Sequence, residues 1–133
     1  MNERGVGALA HMGQYVGLPY IVGGRSPLGL DCYGLVLAIY ANELGVLLPD
    51  WVEDKEIDWD GDRGDFIIIE EPEDYCVVRT PRTSFMPDHF AVYLSGCVFS
   101  AQKPSSTCMA INDYLARNPD ATFARYKEKW GWN

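Results

Sequence analysis

Residues 17–49 read GLPYIVGGRSPLGLDCYGLVLAIYANELGVLLP, a tightly bent loop followed by a helix. Between Gly17 and Gly29 the glycines and prolines break any regular hydrophobic period, so the backbone is expected to turn closely there. From Leu35 to Leu44 the side chains are apolar nearly all round, the pattern of a buried helix. Asp31 stands where an N-cap is wanted, and Gly45 where a left-handed terminator is wanted. Cys32 thus falls at the start of a buried helix, directly after a glycine-rich loop. The backbone N–H groups and the dipole of a helix start favour an anion, here a thiolate. Asp31 would oppose that thiolate if it faced the sulfur, so the nucleophile reading requires its carboxylate to turn toward the helix-start amides.

The other three cysteines suit plainer roles. Cys76 and Cys97 sit in apolar, strand-like runs as small buried hydrophobes, and Cys108 lies in a Ser/Thr-rich turn. No C-x-x-C pair occurs, so neither zinc-ligand spacing nor a disulfide framework is implied.

A cysteine nucleophile needs a base, and the chain offers two histidines. His11 falls in a helical pattern beside Met12, a place suited to a surface side chain. His89 opens the strand-like HFAVYL, where Phe90, Val92 and Leu94 face one side and His89, Ala91 and Tyr93 the other. A strand end beside a cleft suits a base.

The 133 residues fit one domain spanning 1–133, with 47% hydrophobic and 23% charged residues as in ordinary globular chains. A net charge of -8 opposes nucleic-acid binding, because no basic patch can displace counterions from phosphates. No apolar run reaches the roughly 20 residues of a membrane helix, and Met1 to Gly13 lacks the pattern of an export signal, so cytoplasmic synthesis is expected. Twelve of the 19 acidic residues lie between Asp50 and Asp74, against Lys55 and Arg63 alone, which reads as a solvated surface excursion without a catalytic part. Asp58, Asp60 and Asp62 alternate like a calcium loop, but Arg63 takes the place of the turn glycine and Glu70 falls one position late; no metal is expected.

Val6, Leu9, Met12 and Val16 mark a helix over residues 3–16 despite three glycines. Strands are expected at Tyr75–Thr80, Phe90–Leu94, Cys97–Gln102 and Thr122–Lys127, with a helix over Met109–Arg117. Helices first and strands afterwards predict an α+β fold with an antiparallel sheet. The closing RYKEKWGWN is aromatic and polar, fit either to pack a terminal strand or to form a contact surface.

The loop and helix of residues 17–49 resemble the signature of the NlpC/P60 cysteine peptidases: Tyr20, the Gly23-Gly24 pair, then Asp31-Cys32-Tyr33-Gly34 heading a helix that closes with Gly45 and Pro49. HFAVYLSGCVF resembles that family's histidine strand, turn and second strand. The resemblance implies a papain-like α+β fold in which Cys32 attacks an amide of cell-wall stem peptides, with His89 as base and no cofactor. It implies a place beside the active site for Tyr20, and substrate contacts from Asp31 and Tyr33. The commoner motif is Asp-Cys-Ser-Gly; the Asp-Cys-Tyr-Gly form resembles the branch found in phage tail assembly proteins. It implies peptidoglycan stem peptides and other phage tail proteins as partners, and a virion-associated place of action at the cell wall.

The family's third polar residue, often a histidine twelve places after the base, would fall on Ala101, which cannot orient an imidazole. If Ser95-Gly96 forms a two-residue hairpin turn, Leu94 pairs with Cys97 and the register places Gln102 opposite His89. Its carbonyl would accept the imidazole N–H. Ser100 shares that face but pairs with Ala91, so Gln102 ranks first. Two alternatives remain: a degenerate domain that serves as a structural part of a phage tail, and a papain-like cysteine hydrolase or acyltransferase acting on another substrate.

Overall fold

The computed structural model describes residues 11–48, 66–81 and 88–126. The proposed helix over 3–16 lies mostly outside them; residues 11–12 are helical and Gly13–Tyr15 form a 3-10 turn. The aspartates of the calcium-like pattern and residues 127–133 also fall outside the described residues.

The central helix begins at Cys32, as its cap requires. Asp31 keeps an extended backbone at φ -92 and ψ -174, and its side chain accepts a hydrogen bond from the Gly34 amide. The helix runs regularly over Cys32–Ile39, loosens into a π turn over Tyr40–Leu44, and ends at Gly45 with φ 69, a conformation glycine adopts without strain. Leu35, Val36, Ile39 and Tyr40 are wholly buried. Each such side chain contributes on the order of 1.5–3 kcal/mol of burial.

Before the helix, a small hairpin joins β1 (Arg25–Ser26) to β2 (Gly29–Leu30). The main sheet is antiparallel throughout, from β3 (Phe66–Ile69), β4 (Val77–Thr80), β5 (His89–Leu94), β6 (Cys97–Ser100), β7 (Thr107–Ala110) and β8 (Thr122–Tyr126). Its order is β3-β8-β4-β5-β6-β7. The α+β expectation holds, with the helix laid against an antiparallel sheet. One face packs on the central helix through Val77, Val92, Leu94, Phe99 and Ala124. The opposite face carries Cys76, Val78, Ala91, Val98 and Phe123, covered by Tyr114 and Leu115 of the C-terminal helix Ile111–Arg117. Two covered faces fix the register, because a one-residue slip would exchange the two side-chain sets.

Several elements differ from their sequence reading. Phe66–Ile69, inside the stretch taken as a solvated excursion, is an edge strand paired with β8 along its length; the surrounding acids mask four consecutive apolar residues. Met109 and Ala110, assigned to a helix, pair with Val98 and Cys97, and the helix begins only at Ile111. Tyr75 has φ 70 and Cys76 precedes β4, so the expected strand from Tyr75 begins at Val77. β6 stops at Ser100, short of Gln102.

Candidate active site

The Cys32 side of the site is built from short-range bonds. Both oxygens of Asp31 are engaged: Oδ1 accepts from the Gly34 amide at 2.7 Å and from Arg25 at 2.7 Å, and Oδ2 accepts from the Gly23 amide at 3.1 Å. One carboxylate thus caps the helix, pins the glycine loop and neutralises an arginine. This meets the condition set by the nucleophile reading, since the negative charge is spent on Arg25 and two amides. The glycines are steric necessities: a Cβ on Gly34 would run into the carbonyl oxygen of Gly24, and one on Gly24 into that of Gly29. The loop therefore lies directly on the first turn of the helix, and Cys32 is held there half-buried.

The His89 side is built across strands. His89 is the first residue of β5, opposite Thr80 of β4, and is 7% exposed. Its Nε2 lies 2.7 Å from the hydroxyl of Ser100, which is itself 2% exposed. The hairpin turn is the expected two-residue Ser95-Gly96, both with positive φ, and Leu94 pairs with Cys97. Gln102 is nevertheless not placed as its rank required. It lies beyond the end of β6, exposed, and its amide donates to Thr107 at 3.3 Å. The correct register did not suffice because β6 ends at Ser100, and the two-residue turn carries that side chain to the imidazole, eleven residues after His89. A short serine hydroxyl reaches the ring because both groups occupy one sheet face at the same end of the strands.

The two sides meet through their neighbours. The central helix packs against β5, and the residues that follow Cys32 and His89, Tyr33 and Phe90, touch edge to face with centroids 5.7 Å apart. His89 shares its face with Ala91 while Phe90 faces the helix. Tyr33 is a core side chain, 7% exposed, with the Arg25 guanidinium 6.0 Å from its ring centroid. Tyr33, expected to contact substrate, thus also packs in the core. Tyr20 is half-buried; its backbone bridges to Leu30, two residues before Cys32, and its N–H donates to the Pro104 carbonyl at 3.1 Å.

The remaining thiols differ from a helix-start cysteine. Burial pushes Cys76 up to about 12, and burial together with a hydrogen bond to Cys97 pushes Cys108 up to about 11. His11 is exposed and bonds Glu43 at 3.0 Å. Among the described residues, no group of three or more His, Cys, Asp or Glu side chains is arranged to hold a metal. No described helix is long and apolar enough to cross a membrane.

A half-buried cysteine at a capped helix start and a buried histidine bonded to a hydroxyl at one end of the sheet are the two candidate parts of the site. Residues 17–117 match the profile described as NlpC/P60 family, and the chain belongs to that family. It is similar in structure to the NlpC/P60 domain of the peptidoglycan hydrolase SagA, with a TM-score of 0.60 and 22% identity over 90% of this chain and 96% of that one. It is also similar to an NlpC/P60 family protein from Bacillus cereus ATCC 10987, with a TM-score of 0.63 and 21% identity over 89% of this chain and 39% of that one. In sequence, 43 residues are 42% identical to the gamma-DL-glutamyl hydrolase of Bacillus subtilis (strain 168), covering 32% of this chain. The matched part spans about a tenth of that relative's length (10%).

Proposed function

We propose that the chain is a cysteine peptidase that hydrolyses an amide bond in peptidoglycan stem peptides. The observation that carries the reading is that one domain holds both a capped, charge-compensated helix start at Cys32 and a buried His89 whose Nε2 is bonded to Ser100. Ser100 would accept the Nε2 proton, which fixes the tautomer and leaves Nδ1 as the atom that exchanges a proton with sulfur. In the first half-reaction Cys32 gives its proton to His89 and its sulfur attacks the amide carbonyl. Backbone N–H groups near Cys32 hold the oxyanion, His89 returns the proton to the departing amine, and a thioester remains. In the second half, His89 takes a proton from water as its oxygen attacks the thioester, the C–S bond breaks to release the carboxylic acid, and His89 returns the proton to the sulfur.

Family membership supports a wall peptide as substrate. A γ-glutamyl amide is the first bond to test, since the Bacillus subtilis relative is named for that hydrolysis. Asp31-Cys32-Tyr33-Gly34 supports a further element of the proposal, a phage or prophage tail component carried to the cell wall and acting beside other tail proteins.

The test is release of new amino groups from purified peptidoglycan and from stem peptides of several types. Wild type releases them, and Cys32→Ala abolishes release while its thermal unfolding stays close to wild type, because the change removes a reactive sulfur and little packing. A folded wild type inactive on every substrate would contradict the reading and favour a structural tail part.

A further inference from the structure

We propose that Lys103, held on the ring of Tyr20, is a specificity-determining residue that binds a carboxylate carried by the substrate beside the scissile amide; this rests on the amide-hydrolase reading above. Lys103 follows Ser100 by three residues, and Tyr20 bridges to Leu30, two residues before Cys32. The two segments that carry the candidate chemistry are joined at this point. Tyr20 donates its N–H to Pro104, Pro19 bridges to Ser105, and the Lys103 ammonium sits 5.9 Å from the centroid of the Tyr20 ring. A lysine stem has four rotatable carbons, and the ring restricts where its charge lies.

Arg25, Arg79 and Arg125 are each paired, with Asp31, Asp88 and Glu73. Lys103 is exposed, and among the described residues its ammonium pairs with no carboxylate. The chain as a whole carries a net charge of -8, so its mean field repels an anionic peptide. An uncompensated cation on the loop bonded to the Tyr20 segment reverses that field locally and offers a substrate carboxylate a partner. A γ-glutamyl amide suits this chemistry, because linkage through the side chain leaves the α-carboxylate free next to the bond. Asp31 contributes no competing pocket for a cation, as both its oxygens are occupied.

The experiment uses matched γ-glutamyl peptides that differ only in a free or amidated α-carboxylate, assayed with wild type, Lys103→Met and Lys103→Arg. The readout is the ratio of kcat/KM on acid to kcat/KM on amide. Wild type prefers the acid by roughly two- to fivefold, a size expected of one exposed charge pair. The preference resides mainly in KM, shrinks in high salt, persists in Lys103→Arg and vanishes in Lys103→Met. A ratio unchanged by Lys103→Met, with hydrolysis intact, would overturn this assignment alone. Failure of folded wild type to cleave either peptide or any stem peptide would overturn the amide-hydrolase reading, and this assignment with it.

Discussion

The two sides of the candidate site are assembled on different length scales. On the Cys32 side the bonds of the Asp31 carboxylate all lie between Gly23 and Gly34: to Gly34, to Gly23 and to Arg25. On the His89 side the imidazole bonds Ser100, eleven residues on in a neighbouring strand, while its backbone is in register with Thr80 of the other. A locally built nucleophile site tolerates change elsewhere in the sheet. The base site depends on where two strands stop.

Ser100→Ala probes the long-range side and should have the largest effect. It removes the hydroxyl bonded to Nε2, and a hydrogen bond to a charged imidazolium is worth about 1.5–3 kcal/mol, so kcat should fall roughly ten- to hundredfold with KM little changed. Gln102→Ala, whose side chain bonds Thr107 on the surface, should stay within about twofold. Equal losses in the two variants would erase the distinction between them.

On the short-range side, Asp31→Ala should lower stability by about 1–2 kcal/mol in chemical denaturation through loss of the helix cap, and it leaves Arg25 without its carboxylate. Asp31→Asn keeps an acceptor for the Gly34 amide and should recover most of that loss. If the two variants were equally destabilised, the ion pair would outweigh the cap.

The smallest effect concerns the buried sheet face. The Cys76 thiol is pushed up to about 12 by burial, so the folded state holds its proton where the unfolded chain, with a value near the ordinary 9.0, releases it. The unfolded state therefore binds fewer protons at high pH, and stability falls as pH rises from about 9 toward 12. Cys76→Ala should flatten that slope, measured as denaturation midpoints across the alkaline range. An unchanged slope would assign the alkaline loss to the buried tyrosines, of which Tyr40 is also raised by burial.

The same difference in length scale explains what could be read from the sequence. Asp31, Cys32, the helix and its glycine terminator are local features, and residue types at fixed offsets specify them. The Ser95-Gly96 turn was legible for the same reason. Ser100 lost its rank to Gln102 because register predicts which residues oppose each other but not where pairing ceases, and β6 ends two residues before Gln102. Phe66–Ile69 was hidden because its partner is β8, almost sixty residues later, and only that pairing gives four apolar residues amid acids a place in the sheet. Met109 and Ala110 read as helix from their neighbours, yet β6 captures them as an edge strand. Non-local partners decided each of these cases, as expected where tertiary packing overrides local preference.

The central claim is that the Cys32 side and the His89 side form one reactive unit. The most direct measurement is the alkylation rate of each of the four cysteines in the native protein at neutral pH, followed by mass spectrometry of peptides, in wild type and in His89→Ala. Cys32 should react fastest, ahead of the more exposed Cys108, whose thiol is held up to about 11, and far ahead of buried Cys76. His89→Ala should slow Cys32 selectively. A Cys32 no faster than the same thiol in the unfolded chain, and indifferent to His89, would contradict the account.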